Sequence, residues 1–305
     1  MRIAFINKYQ NSVNRGAETF VSELAKRLSV NAEVDIISQV NYLSIFKNNY
    51  DLIIPTNGRI QVFIIRLITW FHGTKMVVSG QSGAGLDDRI NLYSFPDAFI
   101  GLTKFQTNWA KKINPFVRVE TISNGVDLET FKGPTLKGVK NNILSVGAFT
   151  KEKRHDLTIN AVAKLKDVKL TIVGGGGDLR HETEEIGNRL LGNRFEILSV
   201  PHDEMQGVYS KSNILSFPTV PWESFGIAIV EAMASGLPVV ATDDSIRSEI
   251  VGDAGILVDP TNVDAYAIAL EKALNTNWGD KPRRQAEKFN WDKIALQYEE
   301  LFKKL

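Results

Sequence analysis

The sequence predicts an α/β protein made of two doubly wound halves, each a mostly parallel sheet flanked by helices. Three observations carry this. Short apolar runs alternate with amphipathic stretches, the signature of βαβ units. The alternation runs once from the N-terminus to Ser123 and starts again at Asn142. A length of 305 residues accommodates two domains of ordinary size.

In the first half, Arg2–Asn7, Glu33–Ser38, Asp51–Thr56, Met76–Gly80, Ala98–Thr103 and Val119–Ser123 read as strands, short and apolar as buried parallel strands are. Ala17–Leu28 reads as a helix, with Phe20, Val21, Leu24, Ala25 and Leu28 on one side. In the second half the strands are Asn142–Ala148, Lys169–Gly175, Arg194–Ser199, Asn213–Thr219, Pro238–Asp243 and Gly255–Asp259. Helices fit at Arg154–Leu165, Leu179–Leu191, Asp203–Tyr209, Gly226–Ser235 and Val263–Leu274. Phe131–Lys140, rich in Gly, Pro and Lys, reads as a linker. The expected division is therefore 1–135, 136–280 and a helical segment 281–305, whose apolar face (Trp291, Ile294, Ala295, Tyr298, Leu301, Phe302) needs a partner on one half or the other. Two doubly wound domains are expected to face each other across a cleft, with ligands at the carboxyl ends of the strands.

Composition excludes several classes. A net charge of +1 argues against a nucleic-acid partner, which usually demands a basic surplus. No cysteine means no disulfide and no thiolate metal site. Four scattered histidines form no metal-ligand spacing, so no metal is expected. The first apolar run is too short for a secretory signal, and none reaches the roughly 20 residues that span a bilayer, so a cytoplasmic protein is expected. Ile60–Phe71, apolar nearly all round, is read first as a buried helix and second as a membrane-facing patch.

The most informative stretch is Trp222–Val240. It sets Glu223 and Glu231 eight residues apart around a turn-to-helix junction. Gly226 can open the helix, and Gly236 and Pro238 stop it. Free backbone N–H groups at a helix start bind phosphate, and carboxylates bind hydroxyls, which together suit a sugar nucleotide. A carboxylate such as Glu231 among Ile229, Val230, Ala232 and Met233 needs partners. The run Gly174–Gly177 does not make a dinucleotide fingerprint, because the third glycine position falls on Leu179; it reads as a flexible loop lining the cleft.

Glu-x7-Glu, with Phe225-Gly226 after the first glutamate and Glu231-Ala-Met-Ala-Ser-Gly-Leu-Pro-Val-Val240 around the second, resembles glycosyltransferase family 4. Gly16-Ala-Glu18, Ile122–Phe131, Leu144–Lys153 and Leu170–Gly176 follow the family's other segments in order, so the resemblance covers most of the chain. It implies the GT-B fold of two Rossmann-like domains, with the C-terminal segment expected to be able to cross back to the first. It also implies a retaining, metal-independent transfer from a UDP- or GDP-linked sugar to a hydroxyl acceptor, a glycan, glycolipid or small molecule. On this reading Glu231 contacts ribose, Glu223 the donor sugar, and Lys153 the leaving diphosphate. Gly147 and Gly175 line the donor side, and Ser224, Phe225, Gly226 and Ile227 offer backbone N–H groups. Gly16 borders a phosphate or the acceptor. Arg15 and Gln81 stand on the acceptor side, which extends to a lipid-linked acceptor at a membrane surface.

Two positions depart from the family. Ala148 stands where relatives carry an arginine, leaving Arg154, His155 or Arg15 to compensate. Gln81 stands where they often carry a histidine, and an amide cannot act as a base. A non-catalytic sugar-nucleotide-binding subunit is the alternative; sugar-nucleotide epimerisation is a third reading, disfavoured by the scattered histidines.

Overall fold

A computed structural model describes residues 1–10, 16–56, 58–133 and 141–305. The described chain divides into two compact units, Met1–Gly125 with Trp291–Leu305, and Val126–Asn290.

The first unit holds β1 (Arg2–Ile6), β2 (Glu33–Ile37), β3 (Leu52–Pro55), β4 (Lys75–Ser79), β5 (Ala98–Gly101) and β6 (Val119–Thr121). They form one sheet in the order β2-β1-β3-β4-β5-β6, with every pairing parallel. A parallel sheet needs helices on both faces. One face packs Phe5, Ile54 and Val77 against Phe20 and Leu24 of helix Gly16–Leu28 and against Trp291, Ile294 and Tyr298 of helix Trp291–Phe302. Phe20 touches both the Trp291 ring, at 6.3 Å between centroids, and the Tyr298 ring, at 6.0 Å. The other face buries Ile6, Ile53, Val78 and Phe99 beneath Ile45, Val62, Ile65 and Leu92.

The second unit holds β7 (Asn142–Val146), β8 (Lys169–Val173), β9 (Phe195–Leu198), β10 (Ile214–Phe217), β11 (Val239–Thr242) and β12 (Gly255–Val258). Their order is β12-β11-β10-β7-β8-β9, again parallel throughout. The order reverses between β7 and β10. Loops leaving those two strands diverge to opposite faces, which opens a crevice at their carboxyl ends.

All twelve expected strands are present, each shortened by no more than two residues at either end apart from β4, which starts one residue early. The segment expected as one helical tail is split. Lys281–Ala286 and the turn Glu287–Phe289 stay with the second unit, where Arg283 donates to the carbonyls of Leu128, Phe131 and Ala234. Only Trp291–Leu305 joins the first, as the implied crossing back requires. The contact division likewise falls at Gly125/Val126 and not within Phe131–Lys140. Residues 134–140 of that segment lie outside the described residues, but Phe131 is buried against the His202 and Tyr209 rings and belongs to the second unit. Val126 N–H donates to the Phe289 carbonyl at 2.8 Å, so the second unit's entry and exit are bonded side by side.

Helix Ile60–His72 corrects the reading of a buried helix. Val62, Ile65, Arg66 and Thr69 face the core, whereas Ile60, Phe63, Leu67, Trp70 and Phe71 are exposed. Among the described residues no helix is long and apolar enough to cross a membrane.

Candidate active site

The crevice at the carboxyl ends of β7 and β10 gathers most of the residues the sequence singles out. β7 ends at Val146, and Gly147 follows. Its lack of a side chain lets the Lys153 stem lie 3.0 Å from where a Cβ would stand. The Lys153 ammonium reaches Glu223 Oε2 at 2.8 Å and lies 5.7 Å from the centre of the Phe217 ring, the last residue of β10. Two opposite charges 70 residues apart in the chain are thus paired, both about four-fifths buried.

Phe217 also sets the helix that follows. Gly226 caps helix Ile227–Ala234 at φ 88°, and a Cβ there would stand 2.8 Å from the Phe217 ring. That conformation and that contact both require glycine. No side chain caps this helix, so the N–H groups of Ile227 and Ala228 open it without an intrahelical partner. Phe225 is buried against Phe289 and Ser224 is half-buried, which fixes the peptide run that leads into the helix.

Glu231, one turn on, is buried. His202 Nε2 lies 2.8 Å from its Oε1, and the Tyr209 hydroxyl donates to Oε2 at 2.7 Å. Burial first, then the Glu231 charge, pushes the Tyr209 hydroxyl well above its usual range, so it remains a donor. Each carboxylate oxygen retains a lone pair for a further hydroxyl. His202 and Tyr209 were not singled out by sequence reasoning, and neither was Phe131, whose ring packs on both. They lie 29 and 22 residues from Glu231, on another element, so no local spacing connects them.

A buried guanidinium organises the loop that carries Glu223. Arg247 is fully buried and donates to the carbonyls of Glu223 (2.8 Å) and Val220 (3.0 Å), while Asp244 accepts from its Nε at 2.7 Å. Asp244 also caps helix Ser245–Val251, accepting from the N–H groups of Ile246 and Arg247. The Asp244 cap signal was available in the sequence; the role of Arg247 was not.

His155 does not supply the cation that Ala148 lacks. Its Nε2 is 3.2 Å from the Gly147 carbonyl, which can only accept, so Nε2 carries the proton and Nδ1 accepts from Ser145 at 2.9 Å. Burial lowers its pKa to about 4, so the ring is neutral. It acts as a strut: with the Gly147 carbonyl held down, the trans peptide turns the Ala148 N–H the opposite way. The loop beyond β8 is packed at two points and open at another. A Cβ on Gly174 would stand 2.0 Å from the Gly147 carbonyl oxygen and one on Gly177 2.3 Å from that of Phe149, while Gly175 has open space. The Phe149 N–H donates to Gly176 O at 2.9 Å, so this run supports the loop after β7 and is not merely flexible.

The other named residues belong to the first unit. Gly16 opens helix Gly16–Leu28 and is exposed; Arg15 lies outside the described residues. Gln81 is committed internally: its amide and that of Asn124 exchange two hydrogen bonds, at 3.0 and 2.9 Å, and it donates to Ser79 Oγ at 2.9 Å. The loop carrying Gln81 is tied to Asp88, a buried carboxylate that accepts from Asn91 and Gln106 at 3.1 Å. Gln106 also donates to the Gly80 carbonyl at 2.7 Å. Burial is the largest influence on Asp88 and raises it to about 7, against the hydrogen bonds from Asn91, Ser82 and Gly83 that lower it. Among the described residues no three His, Asp or Glu side chains gather as a metal would need.

Two expectations follow. Arg247→Met removes the guanidinium donors to the Glu223 and Val220 carbonyls and to Asp244 Oδ2 and should lower stability by about 2–4 kcal/mol in denaturant unfolding. Asp88 keeps its proton in the folded state to about pH 7, but in the unfolded chain only to about pH 4. The stability it contributes is therefore full below pH 4 and is lost as pH rises through 7, a change of up to about 4 kcal/mol. Asp88→Asn should flatten the dependence of melting temperature on pH between 4 and 8.

Comparison with known proteins gives the family and the fold. The family described as glycosyl transferases group 1 matches residues 127–290, more than half of the chain. N-acetyl-alpha-D-glucosaminyl L-malate synthase of Bacillus anthracis is 26% identical over 78% of this chain and 68% of its own. The phosphatidyl-myo-inositol mannosyltransferase of Mycolicibacterium smegmatis is 29% identical over 58% of this chain and 49% of its own. The chain spans about half the length of the curated relatives it matches. Among solved structures, Anabaena HepE in complex with UDP and glucose superimposes with a TM-score of 0.85 at 19% identity, covering all of both chains. The sucrose-phosphate synthase of Thermosynechococcus elongatus does so at 0.82 and 19%, covering 100% of this chain and 98% of that one. The fold is thus that of the GT-B structures, and the chain belongs to the group 1 family of glycosyl transferases.

Proposed function

We propose that the protein is a retaining glycosyltransferase that moves a sugar from a nucleoside-diphosphate donor to a hydroxyl acceptor. The observation that carries this reading is the convergence, at the strand-order reversal of the second sheet, of an uncapped helix start, the Lys153–Glu223 pair and buried Glu231. Glu231 accepts from ribose hydroxyls beside His202 and Tyr209. The N–H groups from Ser224 to Ile227 meet phosphate or sugar, with Gly147 and Gly175 leaving room for the donor. Glu223 receives hydroxyls of the donor sugar, which releases the Lys153 ammonium toward the diphosphate. As the bond from the anomeric carbon to the diphosphate oxygen breaks, Lys153 offsets the negative charge that develops. The acceptor oxygen bonds to the same face of that carbon, and its proton passes to the departing phosphate oxygen, so no protein base is required. The family membership and the UDP in the HepE structures support a UDP-type donor. The first unit, with Gly16, Arg15 and Gln81, is assigned to the acceptor, a glycan, small molecule or lipid-linked hydroxyl.

The bonding of Gln81 to Asn124 and the alanine at position 148 favour a second reading, a non-catalytic binder of the same ligand. Transfer or donor hydrolysis with a panel of nucleotide sugars separates the two, since the binder would show neither. Glu231→Ala should weaken UDP or GDP binding at least about tenfold by calorimetry, as loss of hydrogen bonds to a charged group implies; unchanged binding would overturn the ribose assignment. Lys153→Ala should lower kcat about a hundredfold or more with a small change in KM. An unchanged kcat would assign leaving-group stabilisation to another cation.

A further inference from the structure

Around the crevice of the second unit, positive charge is largely spoken for. Lys153 is paired with Glu223 and Arg247 with Asp244. Arg154 interacts with Asp259, just past β12, and His155 is neutral. One further guanidinium stands at the carboxyl ends of β7 and β8. It belongs to Arg180, the first residue of helix Arg180–Leu191. Arg180 is half-buried, and among the described residues no carboxylate pairs with it. A charge that is partly withdrawn from water and left without a counter-charge is costly unless something anionic visits it.

Three backbone hydrogen bonds stitch the loops leaving β7 and β8 together. Gly147 N–H donates to the Val173 carbonyl at 2.9 Å, Phe149 N–H to the Gly176 carbonyl at 2.9 Å, and Leu179 N–H to the Phe149 carbonyl at 3.0 Å. Arg180 lies across this seam. Its guanidinium carbon is 5.1 Å from the centre of the Phe149 ring, and Nη1 is 3.5 Å from the Gly174 carbonyl oxygen. Phe149 is fully buried and its ring also meets that of His155 at 5.5 Å, so the surface beneath the guanidinium is rigid. Stacking on a fixed ring orients the guanidinium plane and leaves its N–H edge free, a geometry that suits the paired oxygens of a phosphate. Phe149 directly follows Ala148, and Gly174 abuts the Gly147 carbonyl. The guanidinium is therefore held against the loop that carries Ala148, where relatives place an arginine. A Cβ on Gly175 or Gly176 would meet nothing within 4 Å, so the loop beside Arg180 leaves room for a ligand.

We propose that Arg180 binds the donor's diphosphate, serving with Lys153 as the second cation and replacing from the loop after β8 the arginine that position 148 lacks. This rests on the reading of the crevice as a nucleoside-diphosphate-sugar site. The two cations divide the work. Lys153 offsets the charge that develops on the leaving oxygen, whereas Arg180 holds a charge that is present before, during and after transfer. Arg180 therefore acts on affinity for any nucleoside diphosphate, product as well as donor.

The test measures binding of UDP and GDP, and of uridine and guanosine, to the full chain carrying Arg180→Gln or Arg180→Lys. With the diphosphate that the wild type prefers, Arg180→Gln should bind at least about tenfold more weakly, as loss of hydrogen bonds from a charged group implies. The matching nucleoside should lose less than about twofold, because it carries no phosphate. Arg180→Lys should recover part of the diphosphate affinity, since it keeps the charge without the fork. The melting temperature without ligand should stay close to that of the wild type, which separates binding from a packing role. Equal diphosphate affinity in Arg180→Gln and wild type would overturn the proposal and leave the transferase reading standing. Equal losses for diphosphate and nucleoside would also overturn it, since the guanidinium would then meet the base or only support the loop. A wild type that binds neither UDP nor GDP would overturn the reading of the crevice and this proposal with it.

Discussion

The constraint on which the first unit depends is the packing of its last helix against its first. Trp291, Ile294 and Tyr298 close the face of the sheet that Phe20 and Leu24 begin, and they arrive only after the entire second unit has been traversed. A parallel sheet open on one face would expose Phe5, Ile54 and Val77 to water. The core of the first unit therefore rests on contacts between residues some 270 positions apart in the chain, and contacts so distant form slowly. The second unit is one uninterrupted segment and carries no such debt to the far end of the chain.

Within that segment, rigid supports sit behind each group assigned to the ligand. His155 holds the Gly147 carbonyl, Arg247 holds the Glu223 loop, and Tyr209 with His202 holds Glu231. Each support is buried or half-buried and bonds through a direction-specific donor. Geometry maintained this way does not have to be rebuilt when a ligand arrives, which is the condition for electrostatic stabilisation of developing charge. Lys153 and Glu223 bond to each other, and each keeps about a fifth of its side chain exposed.

The strands were legible because buried parallel strands are nearly continuous apolar runs, and the glutamate pair was legible because both ends of its motif lie on one turn and one helix. The short helices Tyr42–Lys47, Leu86–Leu92, Lys104–Ile113 and Ser245–Val251 were not placed. Three of them begin at side-chain caps, Asn41, Thr103 and Asp244, a local signal that the sequence does carry. The partners of Glu231 and the role of Arg247 were illegible for a different reason. They connect separate elements through the fold, and neither 3.6-residue nor 2-residue periodicity reports on such pairs. Helix Ile60–His72 was misread because an all-apolar pattern does not say which of its faces the core takes; Arg66, pointing inward to Asp97, reversed the expected assignment.

The hydrogen bond between Val126 and Phe289 gives the second unit the form of a closed insert. Its two ends are bonded side by side. A segment with that property can be lengthened, exchanged or duplicated in a genome without moving the ends of the sheet into which it is spliced. The sequence of the first unit can then drift while the inserted half keeps its own core.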